Sequence, residues 1–118
     1  MAAALRAAFD SRDLTSFGAL LADGARWGED DAPNRCRSRA EVAATFQRLI
    51  DDGVEGQVAD MQTGPAGILC HLRIHWPGRA SRSGPEEVFH LYRVRDGRIV
   101  EIRPYADREA AERDLSVI

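Results

Sequence analysis

The spacing of apolar residues changes once along the chain, from a helical period to a strand period. In the first half, apolar residues recur three or four positions apart, as on one face of a helix. From Gln57 onward, apolar and polar residues alternate, which is typical of strands with one buried face. The sequence therefore predicts helices first and a sheet afterwards.

Three helices are predicted before the sheet. The first is the Ala-rich segment 2–11, and Asp13 can cap a second one. The residues that this second helix would turn toward a core are Leu14, Phe17, Leu20 and Leu21. Ser38, followed three residues later by Glu41, forms a capping box for a third helix, which continues until Gly53.

A short strand is predicted at 25–27 and four longer strands follow the helices. The four carry the segments VADMQ, ILCHLRIHW, EVFHLYRV and RIVEIRPYA. Asp96 and Gly97 tolerate the positive φ of a tight hairpin and join the last two strands. Helices followed by an antiparallel meander indicate an α+β fold in which one sheet wraps helices packed on one face. After the last strand we expect only a short polar tail.

Length and charge exclude several classes of protein. We expect 118 residues to form one domain, residues 1–118. The net charge is −3, and the 16 basic residues, all Arg, are scattered along the chain, so no nucleic-acid partner is predicted. No apolar run approaches a membrane span, and the start is too short for a signal peptide. A cytoplasmic location without membrane contact is the expectation.

Metal and thiol chemistry are not favoured by the spacing of the candidate ligands. Cys36 and Cys70 lack metal-site spacing, and Cys70 lies in an apolar strand, so we predict buried thiols rather than a disulfide or a nucleophile. His71 and His75, four apart on one strand, would be about 13 Å apart, too far to share an ion. No phosphate loop or dinucleotide fingerprint is present. We therefore predict neither a metal nor a cofactor.

Five segments together resemble the nuclear transport factor 2-like superfamily, and within it the SnoaL-like group of polyketide cyclases and ketosteroid isomerase relatives. They are FD-x-x-D at 9–13, LLAD at 20–23, A-x-W at 25–27, SR-x-E at 38–41 and YRVRDGRIVEI at 92–102. The resemblance covers nearly the whole chain. It implies a cone-shaped, curved antiparallel sheet wrapped around the N-terminal helices, the cystatin-like α+β barrel. It further implies a deep apolar pocket inside and a homodimer formed through the outer face.

Strand alternation divides the residues between the two faces of the sheet. On the ILCHLRIHW strand, apolarity favours an inner face of Cys70, Leu72, Ile74 and Trp76, which leaves His71, Arg73 and His75 outside. On the next two strands the resemblance favours Val88, His90, Tyr92 and Val94, then Val100, Ile102 and Pro104. The residues alone leave this parity open, because a bulge at the hairpin would exchange the faces and Phe89 with Leu91 makes the other face equally apolar.

Three residues are candidates for acid/base chemistry. The resemblance places His90 where SnoaL-like cyclases hold a pocket His, and an imidazole there could exchange a proton or donate to an enolate. It also places Glu29, with Asp30 as a neighbouring candidate, where ketosteroid isomerases keep their general base, although an acidic triplet such as Glu29-Asp30-Asp31 is usually a solvated loop. Tyr92, if inward, could donate a hydrogen bond.

The remaining expectations concern the pocket walls and the function. Trp27, Trp76, Leu72, Ile74 and Ile102 are the expected substrate-binding walls. The isomerases' catalytic Tyr corresponds to Leu5 here, and the cyclases' catalytic Asp to Pro104. The leading hypothesis is a protein that binds a small apolar molecule and catalyses a cofactor-independent isomerisation, cyclisation or dehydration. The alternatives are a non-catalytic ligand-binding or dimerisation module and a domain whose pocket is filled by side chains.

Overall fold

The computed structural model describes residues 1–28, 36–77 and 86–117, and it begins with the helices that the sequence predicts. Helix α1 spans Ala2–Ser11, α2 spans Leu14–Ala19 and α3 spans Arg39–Asp51. Asp13 Oδ1 accepts the backbone N–H of Ser16 at 3.1 Å, and Ser38 Oγ accepts that of Glu41 at 3.2 Å. Both predicted N-caps are confirmed, and each occupies an N–H group that the first helical turn leaves unpaired.

In the described part of the chain, five strands form one curved, unclosed sheet, which confirms the α+β prediction. They are β1, Leu21–Trp27; β2, Glu55–Gly64; β3, Gly67–His75; β4, Glu86–Arg95; and β5, Arg98–Tyr105. The order is β1-β5-β4-β3-β2; β2 to β5 are antiparallel neighbours, whereas β1 runs parallel to β5. Strand β1 is longer than predicted, because Leu21 pairs with Ile99 instead of continuing α2.

The β4–β5 hairpin contains the predicted two-residue turn and a bulge. Asp96 and Gly97 have φ of 54° and 76°, as a type I′ turn requires. Val94 pairs with Ile99 and Arg93 pairs with Glu101, so one extra residue, Val100, lies between the two pairs on β5. Ile99, completely buried, takes the place in the inner core that was expected for Val100, and Val100 belongs to neither apolar cluster of the described residues.

The inner face of the sheet packs against α1, α2 and α3 around one large core. The predicted inner faces of β3 and β4 are confirmed for the residues in this core or packed against it, which are Cys70, Leu72, Ile74, Val88, Tyr92 and Val94. Leu5, at the position that the resemblance gives to a catalytic Tyr, is fully buried here.

A fourth helix, α4 at Arg108–Leu115, covers part of the outer face, where we expected a polar tail. Asp107 begins it by accepting the N–H of Glu109 at 3.1 Å. Ala111 and Leu115, one turn apart, form a second apolar cluster with Leu69 and Leu91 of the sheet. The prediction was wrong because only two residues of this helix provide its buried stripe.

Candidate ligand pocket

A pocket with a cavity volume of about 90 Å³ lies between the inner face of the sheet and the three N-terminal helices. Three phenylalanines form much of its helical wall: Phe17 stacks on Phe46 with ring centroids 4.4 Å apart, and Phe9 lies 5.8 Å from Phe17. A cavity needs only about 10–15 Å³ to hold one internal water, so this pocket admits more than one. The wall is apolar and aromatic, as in small-molecule sites.

His90 reaches the pocket from the middle of β4. Its ring lies edge-on to Trp27, with centroids 6.0 Å apart, and 6.2 Å from the ring of Tyr92. Burial among these walls lowers the pKa of His90 to about 4, so the imidazole is neutral near pH 7. Within the described residues it has no hydrogen-bond partner, so its ring nitrogens are available for one acceptor and one donor contact to a ligand.

Tyr92, the next inner-face residue of β4, is a neutral donor in the same wall. It is 2% exposed, and its ring packs edge-on against Phe9 at 6.0 Å. Burial raises its pKa well above the usual value, and the nearby Cys70 adds to the effect, so the phenol keeps its proton. The β4 wall therefore offers two uncharged polar side chains in apolar surroundings.

Arg12 is a pocket residue that the sequence analysis did not identify. It ends α1 in a left-handed conformation, φ 54°, with its backbone N–H bonded to the Phe9 carbonyl at 3.2 Å. Its guanidinium pairs with Glu55 of β2 at 3.3 Å, and the two side chains are 44% and 64% exposed. In the sequence, Arg12 is one of many scattered arginines, and only the end of α1 brings it to the pocket.

The other predicted site residues fall into three groups. Trp27, Leu72, Ile74 and Ile102 line the pocket. Trp76 does not: it follows β3, and its indole N–H donates to Glu86 Oε2 at 2.6 Å. Glu29 lies outside the described residues.

The remaining histidines and the cysteines do not contribute to the pocket. His71 lies on the outer face, stacked on Phe89 with centroids 4.8 Å apart. In the described parts of the chain, no three His, Cys, Asp or Glu residues are grouped to hold a metal ion. Cys36 and Cys70 are free and buried, as predicted, and burial raises the pKa of the Cys70 thiol to about 12.

The sequence match that decides the family covers residues 2–102, which fit the SnoaL-like domain. The chain belongs to the SnoaL-like family. No curated protein matches this SnoaL-like chain. Across the described ranges, it has no helix long and apolar enough to cross a bilayer.

Solved structures with the same fold are distant in sequence. An NTF2-like protein of unknown function from Cytophaga hutchinsonii has a TM-score of 0.69 and 11% identity, over 92% of this chain and 88% of its own. A provisionally named ketosteroid isomerase from Kribbella flavida has a TM-score of 0.72 and 16% identity, over 87% of this chain and 72% of its own. A provisionally named polyketide cyclase from Xanthomonas campestris pv. campestris has a TM-score of 0.65 and 20% identity, over 98% of this chain and 93% of its own. At these identities the likeness establishes the nuclear transport factor 2-like fold alone.

Proposed function

We propose that this SnoaL-like protein binds a small, mainly apolar molecule in the pocket and that His90 is the acid/base group for a cofactor-independent isomerisation, cyclisation or dehydration. The observation that carries the proposal is the position of His90, whose ring forms part of the pocket's sheet wall, which is otherwise aromatic and aliphatic. A neutral imidazole there can accept a proton from an acidic C–H group of a bound ligand. A buried phenol such as Tyr92 can donate to the oxygen on which negative charge develops.

Ligand binding is tested first, by the shift in unfolding temperature across a panel of enones, lactones and sterols. The matched variant is Leu49→Trp, because Leu49 is a half-buried pocket residue on α3 whose enlargement fills the cavity without adding charge. We expect compounds that raise the unfolding temperature of the wild type to have a much smaller effect on Leu49→Trp. Equal shifts in both proteins would place binding elsewhere and contradict the pocket.

The chemical role of His90 is tested on the compounds that bind. Conversion of each compound is followed with the wild type, His90→Ala and His75→Ala, since His75 is a histidine of β3 outside the pocket lining. Our proposal requires turnover that is lost in His90→Ala, whose fold is retained, and kept in His75→Ala. Undiminished turnover in His90→Ala would remove His90 from the mechanism.

The second candidate function is a ligand-binding module without catalysis. Two observations favour it: Leu5 is fully buried in the core, and Pro104 lies opposite His90 in the β4–β5 ladder. Neither side chain can exchange a proton, and these are the positions to which the resemblance assigns the family's catalytic Tyr and Asp. Compounds that bind the pocket but are never converted would favour this function.

Homodimer formation is part of the proposal and concerns the outer face. Glu101 is buried there, 6% exposed, among Arg26, Arg93 and Arg103 at 3.8, 3.3 and 3.6 Å. A second copy could bring carboxylates to these guanidinium groups, so the charge pattern is compatible with a polar interface. Native mass spectrometry should show a dimer that dissociates as salt increases. A monomer at every salt concentration would rule the dimer out.

A further inference from the structure

The pocket lies next to a groove on the protein surface. Phe9, Arg12 and Gly56 line both the pocket and the groove, which runs between the end of α1 and the start of β2. The side chains that occur only in the groove include Asp10 and Glu55. A ligand that enters the aromatic interior from this side therefore passes Arg12.

Arg12 is the charged side chain among the described residues that line the pocket itself. A ligand that fills the pocket removes water from the guanidinium, and this costs free energy unless the ligand supplies an opposite charge. The existing partner compensates little, because both side chains of the Arg12–Glu55 pair are exposed and water screens such pairs. A carboxylate, in contrast, can accept two parallel hydrogen bonds from one guanidinium.

We propose that the ligand is a small amphipathic carboxylate whose apolar part lies among the phenylalanines and whose carboxylate binds Arg12 at the pocket mouth. This inference rests on the proposed function, since it names the ligand class of the same pocket. His90 and Tyr92 are uncharged, so the apolar part of the ligand meets neutral donors and acceptors while its charge stays at the mouth. Arg12 is thus a specificity-determining residue.

The test compares two probes of equal size, 3-phenylpropanoate and the neutral ketone 4-phenylbutan-2-one, by NMR titration. We expect the acid to bind the wild type about tenfold more tightly than the ketone, as a charge-assisted contact implies. Added salt should weaken the acid and not the ketone. Arg12→Gln should lose the preference for the acid, whereas Arg48→Gln should keep it, because Arg48 lies on the exposed side of α3 outside both pocket and groove.

Two further variants separate binding from folding. Arg12→Gly suits the left-handed backbone at this position, so it removes the guanidinium without introducing strain. It should abolish the preference for the acid while ketone affinity stays within about twofold. Glu55→Gln removes the carboxylate that competes for Arg12, so it should raise the affinity for the acid and leave the affinity for the ketone unchanged.

The outcomes distinguish this inference from the proposed function. Equal affinity of the wild type for acid and ketone would overturn the role of Arg12 and leave the apolar pocket standing. If Arg12→Gly reduced the affinity for the acid and for the ketone equally, the proposed role of Arg12 would also be overturned. If neither probe binds the pocket, both the ligand class and the proposed pocket function are wrong.

Discussion

Replacement of His90 by Gln should change how stability depends on pH. The imidazole has an ordinary pKa of 6.5 in the unfolded chain, and burial lowers the value to about 4 in the fold. Between these two values the unfolded chain binds more protons than the folded one, so acid favours unfolding. Stability is therefore highest above pH 6.5 and falls as the pH decreases toward 4. A Gln at this position has no proton to bind and removes the effect.

The size of the effect follows from the two pKa values. At pH 5 the unfolded His90 is mostly protonated and the folded one mostly neutral, which lowers the free energy of unfolding by about 2 kcal/mol relative to pH 7. Below pH 4 the loss approaches about 3 kcal/mol. Carboxylates also lose stabilising contacts in acid, so the quantity to measure is the difference between wild type and variant.

The assay is urea unfolding at pH 7 and pH 5 for the wild type, His90→Gln and His75→Gln. Between pH 7 and pH 5, we expect the free energy of unfolding of the wild type and of His75→Gln to fall by about 2 kcal/mol more than that of His90→Gln. Identical losses in all three proteins would show that His90 has no lowered pKa in the fold. His90 would then be well hydrated in the fold, and its burial would not keep the imidazole neutral.

Three other predictions concern the surroundings of the pocket and the outer face. Gly67→Ala should destabilise the fold by about 3 kcal/mol or more in urea unfolding. The φ of Gly67 is +148°, and a Cβ at this position would overlap the Tyr92 carbonyl oxygen. A smaller loss of stability would contradict this close contact. Tyr105→Phe removes the hydrogen bond that anchors Asp114 of α4 to the sheet. The variant should lose about 1 kcal/mol of stability and show faster amide exchange in α4. Unchanged exchange would exclude an anchoring role for this bond. Cys70, with its pKa raised to about 12, should resist disulfide reagents at pH 8 until the protein unfolds, and rapid native labelling would be inconsistent with its burial.

The elements with explicit local signals could be predicted from the sequence. Asp13 and Ser38 mark helix starts because their side chains occupy N–H groups that the first turn leaves free. Asp96-Gly97 fixes the hairpin because both residues accept positive φ. These signals involve residues close together in the chain, so they can be recognised without knowledge of the tertiary structure.

The features that were missed depend on contacts between distant residues. Ile99 and Val100 are both apolar, so alternation alone could not show which one a bulge turns toward the core. Helix α4 is stable because Ala111 and Leu115 find an apolar outer face on β3 and β4, a partner surface that its own sequence does not indicate. Arg12 enters the site only through the packing of α1 near the start of β2.

The candidate site was predicted in part. The resemblance favoured an inner face for His90 and Tyr92, and Trp27 was expected as a pocket wall; all three line the pocket. Trp76 was grouped with the walls because it continues the alternation of β3, but the strand ends at His75 and the indole binds Glu86 instead. Pattern continuity beyond the last ladder pair is therefore a poor guide to which way a side chain points.

The central claim is that a small, mainly apolar molecule occupies the pocket around His90. The most direct measurement is an NMR titration of the histidine ring signals with 4-phenylbutan-2-one. We predict that the His90 signals shift and saturate with the ketone while those of His71, on the outer face, do not move. Unmoved His90 signals, or shifts confined to His71, would contradict it.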